Sequence, residues 1–204
     1  MARHIRRSAA FLSILCPVDF SAHARVALRA AVDLAGRAGG HVTALYVNDP
    51  LLTAAAAAGY DERRLAKQCA DELARFIARS VGARRRLVSG AVVLGQPARE
   101  IARAATRLKA DAIVVGSHGL RGPARLFFGS TTAQVLAHAK VPVLAVPPAT
   151  RRLAPLDSGP LLSAIDLGRQ ARRDARTAAA LAQWLATPLS LVHVVEPTRL
   201  PGWL

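Results

Sequence analysis

The chain has 204 residues, of which 52% are hydrophobic and 20% are charged, proportions typical of a folded protein rather than a disordered one. No apolar run is long enough to cross a bilayer, and the distant Cys16 and Cys69 form neither a disulfide framework nor a zinc motif, so we expect a protein of the reducing cytoplasm. The net charge of +15 comes almost entirely from arginines spread over predicted helices, and with only 4% aromatic residues the sequence favours a solvated surface over a nucleic-acid interface.

Apolar runs alternate with helical patterns over the first 148 residues, as β-α-β units with a parallel sheet require. The predicted strands cover residues 11–19, 41–47, 85–95, 111–116 and 141–147. The predicted helices between them cover residues 21–39, 61–80, 97–109 and 131–139. Residues 1–148 therefore predict one α/β domain, a five-stranded parallel open sheet of Rossmann-like type with helices on both faces.

The remainder of the chain repeats the start of this pattern. A segment rich in Pro, Gly and Arg, residues 149–160, is interpreted as a linker. Residues 161–197 then align without a gap with residues 14–50, which predicts an internal duplication and a C-terminal β-α-β half repeat within residues 161–204. Because a parallel sheet is normally covered on both faces, we expect this half repeat to complete its burial against the first domain or another chain.

The sequence GSHGLRGPARLFFGST, residues 116–131, follows the predicted fourth strand and is here called the glycine stretch. In an open parallel sheet, ligands bind beyond the carboxyl ends of the strands, where the strand order reverses. Glycines let backbone N–H groups approach an anion, and the N-terminus of the following helix suits phosphate oxygens. The stretch is neither a P-loop nor a dinucleotide motif, so the residues alone leave a phosphate site and a simple change of chain direction equally open.

The spacing Gly-x2-Gly-x9-Gly-Ser, met by Gly116, Gly119, Gly129 and Ser130, resembles the nucleotide-binding signature of the universal stress protein family. Three further segments resemble the family in the same order, namely ILCPVDFS, VVLGQPAREI and HAKVPVLAVP. The likeness extends over residues 10–148, and the half repeat resembles the start of a second such domain, as in tandem members. The resemblance implies a fold of the adenine nucleotide alpha hydrolase-like type.

Members with this glycine spacing bind ATP, so the resemblance implies an ATP ligand and leaves accompanying Mg²⁺ open. It assigns phosphate contacts to one set of residues: Gly116, Gly119, Gly129, Ser130, Thr131 and Thr132. It places a second set around or near adenine and ribose: Pro17, Val18, Asp19, Val47 and Val115. Asp19 has an alternative role, since a carboxylate at the end of the first strand could instead cap the helix beginning near Ser21.

The sequence favours a binding module over an enzyme. No paired carboxylates, Ser-His-Asp set or metal-spaced cluster accompanies the glycine stretch, so we expect no catalytic residue and no metal-ligating residue, with slow ATP hydrolysis left open. The half repeat ends before a glycine stretch of its own, which predicts one nucleotide site per chain.

The predicted function is that of a cytoplasmic, homodimeric ATP-binding module of the stress response. One alternative is a family member with a vestigial site that acts through protein contacts. A less favoured alternative is an arginine-rich nucleic-acid-binding protein, and no membrane partner is expected.

Overall fold

The structure is a computed structural model, and its described residues are 11–49, 62–117, 128–147 and 159–195. The contacts divide the chain into two compact units. The first unit contains Phe11–Leu153, and the second contains Ala154–Leu204. Of the predicted linker, only Gly159 and Pro160 belong to the described residues.

The first unit is an α/β domain built on a five-stranded parallel sheet. Its strands are β1 (Ser13–Val18), β2 (His41–Asn48), β3 (Val88–Leu94), β4 (Ala112–Gly116) and β5 (Val143–Val146). Its helices are α1 (Ala22–Ala38), α2 (Glu62–Val81), α3 (Pro97–Arg107) and α4 (Ser130–His138). The strands pair in the order β3-β2-β1-β4-β5, all parallel, which confirms the predicted fold class.

Apolar side chains on both faces of the central strands explain why helices cover both sides of the sheet. Helices α1 and α2 pack together on one face, and α3 and α4 pack together on the other. Leu15 and Leu45, both 0% exposed, point toward α3 and α4, where they pack with Ile101 and Val135. The central strands β1 and β4 therefore do not alternate between apolar and polar side chains, because successive side chains pack against helices on opposite faces of the sheet.

Helix α1 begins and ends where its sequence predicts. The Ser21 hydroxyl accepts a hydrogen bond of 3.0 Å from the backbone N–H of Ala24, so Ser21 is the N-cap. The helix ends at Gly39, whose φ of 69° lies in the left-handed region that glycine adopts at low energetic cost. These two residues fix the length of the first crossover between β1 and β2.

The third and fifth strands are shorter than predicted. A 3-10 helix over Gly82–Leu87 takes up the exposed arginine run, so β3 begins at Val88, where pairing with Val42 of β2 starts. Strand β5 begins after Pro142, which has no backbone N–H to donate to a sheet. In both cases the strand begins at the first residue that pairs with a neighbouring strand, Val88 with Val42 and Val143 with Ile113. The local apolar pattern does not identify that residue.

The second unit consists of β6 (Leu161–Ala164), α5 (Ala171–Leu185) and β7 (Leu189–Val192), with the two strands parallel. One face of α5 is buried within the unit, through Ala178, Ala182 and Leu185. The helix begins two residues later than alignment with α1 predicts. The position aligned with Ser21 is Gly168, which has no hydroxyl to cap a helix.

Aligned positions in the two units differ in burial. Leu162 of β6 aligns with Leu15 of β1 and is 67% exposed, whereas Leu15 is 0% exposed. Val192 of β7 aligns with Leu45 of β2 and is 39% exposed, whereas Leu45 is 0% exposed. Helix α3 covers this face of the sheet in the first unit, and the described residues of the second unit contain no counterpart of α3.

Candidate functional site

The order of the strands reverses beside β1, which pairs with β2 on one side and with β4 on the other. Successive crossovers therefore diverge here and leave a crevice beyond the carboxyl ends of β1 and β4. Asp19 follows β1 at this edge, and Ser117 follows β4. This is the topological position at which open α/β sheets bind ligands.

Two hydrogen bonds attach the start of α4 to the end of β4. The backbone N–H of Gly129 donates to the Ser117 carbonyl oxygen over 2.9 Å. The Thr132 hydroxyl donates to the Gly116 carbonyl oxygen over 2.9 Å, and the Thr132 side chain is buried. The two ends of the glycine stretch are therefore held together, and the N-terminus of α4 lies at the carboxyl edge of the sheet.

The N-terminus of α4 has backbone donors available for a ligand. Its N-cap is Gly129, which has no side chain that could accept a hydrogen bond from the first turn. The first intrahelical bond runs from the Ala133 N–H to the Gly129 carbonyl oxygen, over 2.9 Å. Within the described residues, the N–H groups of Ser130, Thr131 and Thr132 have no hydrogen-bond acceptor. Unpaired N–H groups at a helix start favour an anion.

Three of the residues predicted near adenine and ribose share one face of the sheet. Val115 belongs to the core on the α3 and α4 side, and the partly buried Val47 packs against the same core. Strand alternation places the half-buried Pro17 on this face, two positions after Leu15. The adjacent Val18 therefore points to the opposite face, which α1 and α2 cover, and it is buried there.

The Asp19 carboxylate stabilises the start of α1. Its Oδ1 atom accepts a hydrogen bond of 3.1 Å from the backbone N–H of Ser21, the N-cap residue. The Ser21 hydroxyl caps α1 itself, so Asp19 supports the cap residue and does not replace it. Because Asp19 stands at the carboxyl end of β1, the same interaction also fixes its position at the edge of the crevice.

An aromatic cluster beside Asp19 was missed by sequence reasoning. Phe20 has a φ of 63°, and its ring stacks on Tyr46 with centroids 4.5 Å apart. The Phe20 ring also meets Phe76 edge-on at 5.6 Å. Burial raises the pKa of Tyr46, and the nearby Cys69 and Asp19 raise it further. In the sequence, the one indication of an unusual backbone at Phe20 is its position between the end of β1 and the N-cap of α1.

Gly119 lies outside the described residues. Within the described ranges, no group of three His, Cys, Asp or Glu side chains is arranged to hold a metal ion. No helix in the part of the chain that the structure describes is long and apolar enough to span a membrane.

Comparison with known proteins identifies relatives of the first unit. The sequence profile of the Universal stress protein family matches residues 10–147. A protein of Thermus aquaticus, described as "Universal stress protein in QAH/OAS sulfhydrylase 3'region", is 48% identical over 52 residues. That alignment covers 26% of this chain and 38% of the relative. The match therefore spans well under two thirds of the relative's length.

Solved structures share the fold. The universal stress protein UspA from Lactobacillus plantarum is 31% identical, with a TM-score of 0.53, over 68% of this chain and 99% of that one. A universal stress protein from Archaeoglobus fulgidus is 23% identical, with a TM-score of 0.65, over 91% of this chain and 67% of that one. At this identity the second likeness concerns the fold alone.

Proposed function

The chain belongs to the universal stress protein family, and from this premise we propose that it binds an adenine nucleotide, specifically ATP, at the carboxyl edge of the first unit's sheet. The site lies where the strand order reverses between β1 and β4. The bound nucleotide would act as a signal that changes the protein's partners or assembly. The protein is in this proposal a binding module of the stress response rather than an enzyme.

The observation that carries the proposal is the start of α4. Gly129 gives this helix an N-cap without a side chain, and the next three residues present backbone N–H groups. The positive end of the helix dipole adds to their attraction for an anion. Gly116, Gly119, Gly129, Ser130, Thr131 and Thr132 would hold the phosphate groups, with Thr132 contributing its backbone N–H because its hydroxyl donates to Gly116. Any Mg²⁺ would be held chiefly by the phosphates.

The base and ribose would occupy the adjacent part of the same edge. Pro17, Val47 and Val115 would supply apolar groups on the α3 and α4 face of the sheet. Val18 would contribute through its backbone, since its side chain is buried on the other face. The Asp19 carboxylate, fixed by the Ser21 N–H, is a polar group at the correct edge to contact the ribose.

We further propose one site per chain and a homodimeric assembly in the cytoplasm. The second unit would be related to the start of the first by duplication, because its β6, α5 and β7 align with β1, α1 and β2. It carries Asp166 at the position of Asp19, and residues 161–204 align only with the part of the first unit that precedes the glycine stretch. ATP would therefore bind to the first unit only.

The test is isothermal titration of the full chain with ATP, ADP, AMP and GTP, together with mass spectrometry for nucleotide that co-purifies. The key variant is Ser130→Asp, because a carboxylate at the helix start repels phosphate while interacting favourably with the helix dipole. We expect wild-type protein to bind one ATP per chain and Ser130→Asp to bind at least tenfold more weakly.

The matched control is Ser130→Ala, which removes the hydroxyl and adds no charge. It should lose less affinity than Ser130→Asp, because the backbone N–H groups remain. Thermal unfolding checks that both variants are folded. Absence of binding by every adenine nucleotide to wild-type protein would favour the alternative, in which the site is vestigial and the protein works through protein contacts.

A further inference from the structure

A second candidate site lies on the first unit, between α3 and α4, and it extends along α3 from the end nearest the proposed nucleotide edge. An open groove of about 750 Å³ runs along α3 beside α4. Its lining residues are Gln96, Ala98, Arg99, Ala102, Arg103, Thr106, Arg107, Gln134 and His138. All nine belong to the described residues, and none of them is acidic. The groove is therefore a concave surface of positive charge.

Three arginines form one stripe along this groove. Arg99, Arg103 and Arg107 are spaced four residues apart on α3, so successive Cα positions rise by about 6 Å along the helix axis. All three side chains are exposed. Arg103 is paired with Glu100 over 2.6 Å, and within the described residues no ion pair is recorded for the other two. The stripe therefore retains most of its positive charge.

The stripe is unfavourable for the helix that carries it. Like charges four residues apart on a helix repel each other, whereas opposite charges at that spacing stabilise it. On α2, by contrast, Arg75 and Arg79 both pair with Glu72 over 2.8 Å. On α3 the one acidic residue is Glu100, and it pairs with Arg103 and with neither of the other two arginines of the stripe. This concentration of uncompensated charge in a groove is the arrangement expected at a binding surface for an anion with several charges.

The shape and polarity of the groove narrow the choice of anion. Ala98 and Ala102 are short lining residues, so an extended chain could approach α3 closely. Gln96 donates to Gln134 across the groove over 3.3 Å, which adds neutral polar groups between the two helices. No lining residue is aromatic, so bases would gain no stacking platform. The surface suits a chain with evenly spaced charges rather than a particular base sequence.

We propose that the α3/α4 groove binds the phosphodiester backbone of a single-stranded nucleic acid without sequence specificity. Guanidinium groups suit phosphate oxygens because their planar fork can donate two hydrogen bonds to one phosphate. The groove is lined from both α3 and α4, and an open groove between two helices can receive one extended strand more readily than the wider duplex. This gives part of the net charge of +15 a specific role that the proposed nucleotide site does not require.

The test uses full-length chain and a fluorescently labelled single-stranded oligonucleotide, with affinity measured by anisotropy over a series of salt concentrations. The variant is Arg99→Gln with Arg103→Gln and Arg107→Gln. If three phosphate contacts are lost, the negative slope of log K against log salt concentration should become shallower by about 2. Glutamine is a good helix former, and circular dichroism confirms that α3 is retained.

The matched control is Arg172→Gln with Arg173→Gln and Arg176→Gln, which makes the same change in net charge on exposed positions of α5. We expect it to leave the salt slope close to the wild-type value. The proposal fails if the two triple variants weaken binding equally, if wild-type binding does not depend on salt, or if a duplex or polyglutamate binds more tightly than the single strand. Unchanged ATP titration of the α3 variant would show that the two sites are separate.

Discussion

The Thr132 hydroxyl donates a hydrogen bond of 2.9 Å to the Gly116 carbonyl oxygen. This bond joins two residues that the family resemblance assigned to one phosphate site, one at the end of β4 and one in the first turn of α4. It is buried, so its effect on folding is larger than that of an exposed bond. It also means that the Thr132 side chain positions the helix start and leaves ligand contact to the backbone.

Replacing Thr132 by valine tests this relationship. Thr132→Val keeps the shape of the side chain but removes the donor, so the buried Gly116 oxygen loses this partner. We expect the free energy of unfolding to fall by about 1–3 kcal/mol. Thr132→Ser keeps the hydroxyl and should lose less stability than Thr132→Val. Urea denaturation followed by circular dichroism measures both, and a Thr132→Val protein as stable as wild type would contradict the assigned role.

Phe20 holds a left-handed backbone conformation that bulky residues rarely adopt. Its φ is 63°, and its ring contacts Tyr46 and Phe76. We expect Phe20→Ala and Phe20→Gly both to be less stable than wild type, since both lose the ring contacts. Phe20→Gly should be the more stable of the two by about 1 kcal/mol, because glycine adopts positive φ without a Cβ clash. Thermal unfolding compares the two variants, and the reverse order would mean that this conformation is not strained.

The raised pKa of Tyr46 predicts a loss of stability in alkaline solution. Burial is the main cause of the shift, and Cys69 and Asp19 add to it. The folded protein therefore retains the phenol proton at a pH where the unfolded chain, with a pKa near 10, releases it. This contribution to stability is fully present below about pH 10 and is lost as the pH rises through the folded-state pKa.

Tyr46→Phe removes the titrating group and keeps the stacked ring. We expect the melting temperature of the wild-type protein to fall more steeply than that of Tyr46→Phe above about pH 10. Differential scanning calorimetry at several pH values measures the difference. Parallel pH profiles for the two proteins would show that Tyr46 titrates alike in the folded and unfolded states.

The elements of the first unit follow from local patterns, which is why the sequence predicts them well. Ser21 caps α1, Gly39 ends it, and apolar runs mark every strand of the sheet. The beginning of β3 could not be predicted, because it depends on pairing between Val88 and Val42, which are far apart in the sequence. The unusual backbone of Phe20 depends similarly on ring contacts with distant residues.

The candidate site was predictable to a similar extent. The spacing of Gly129 and Ser130 pointed to the start of α4, because glycine and hydroxyl residues at a helix start have a local chemical meaning. The orientation of the Val18 side chain follows from strand alternation once a neighbouring core residue is known. The role of the Thr132 hydroxyl follows only from the packing of α4 against β4. The arginine stripe was visible as charge, but the groove beside it exists only when α3 and α4 pack together.

The aligned leucines of the two units allow a direct test of their different burial. Leu15→Ala removes a side chain that is 0% exposed and should lower the free energy of unfolding by about 2–5 kcal/mol. Leu162→Ala makes the same chemical change at a position 67% exposed, and we expect an effect below about 0.5 kcal/mol. Circular dichroism of both variants during urea unfolding measures the contrast. A loss for Leu162→Ala as large as that for Leu15→Ala, and dependent on protein concentration, would instead show that an assembly covers the open face of β6 and β7 in solution.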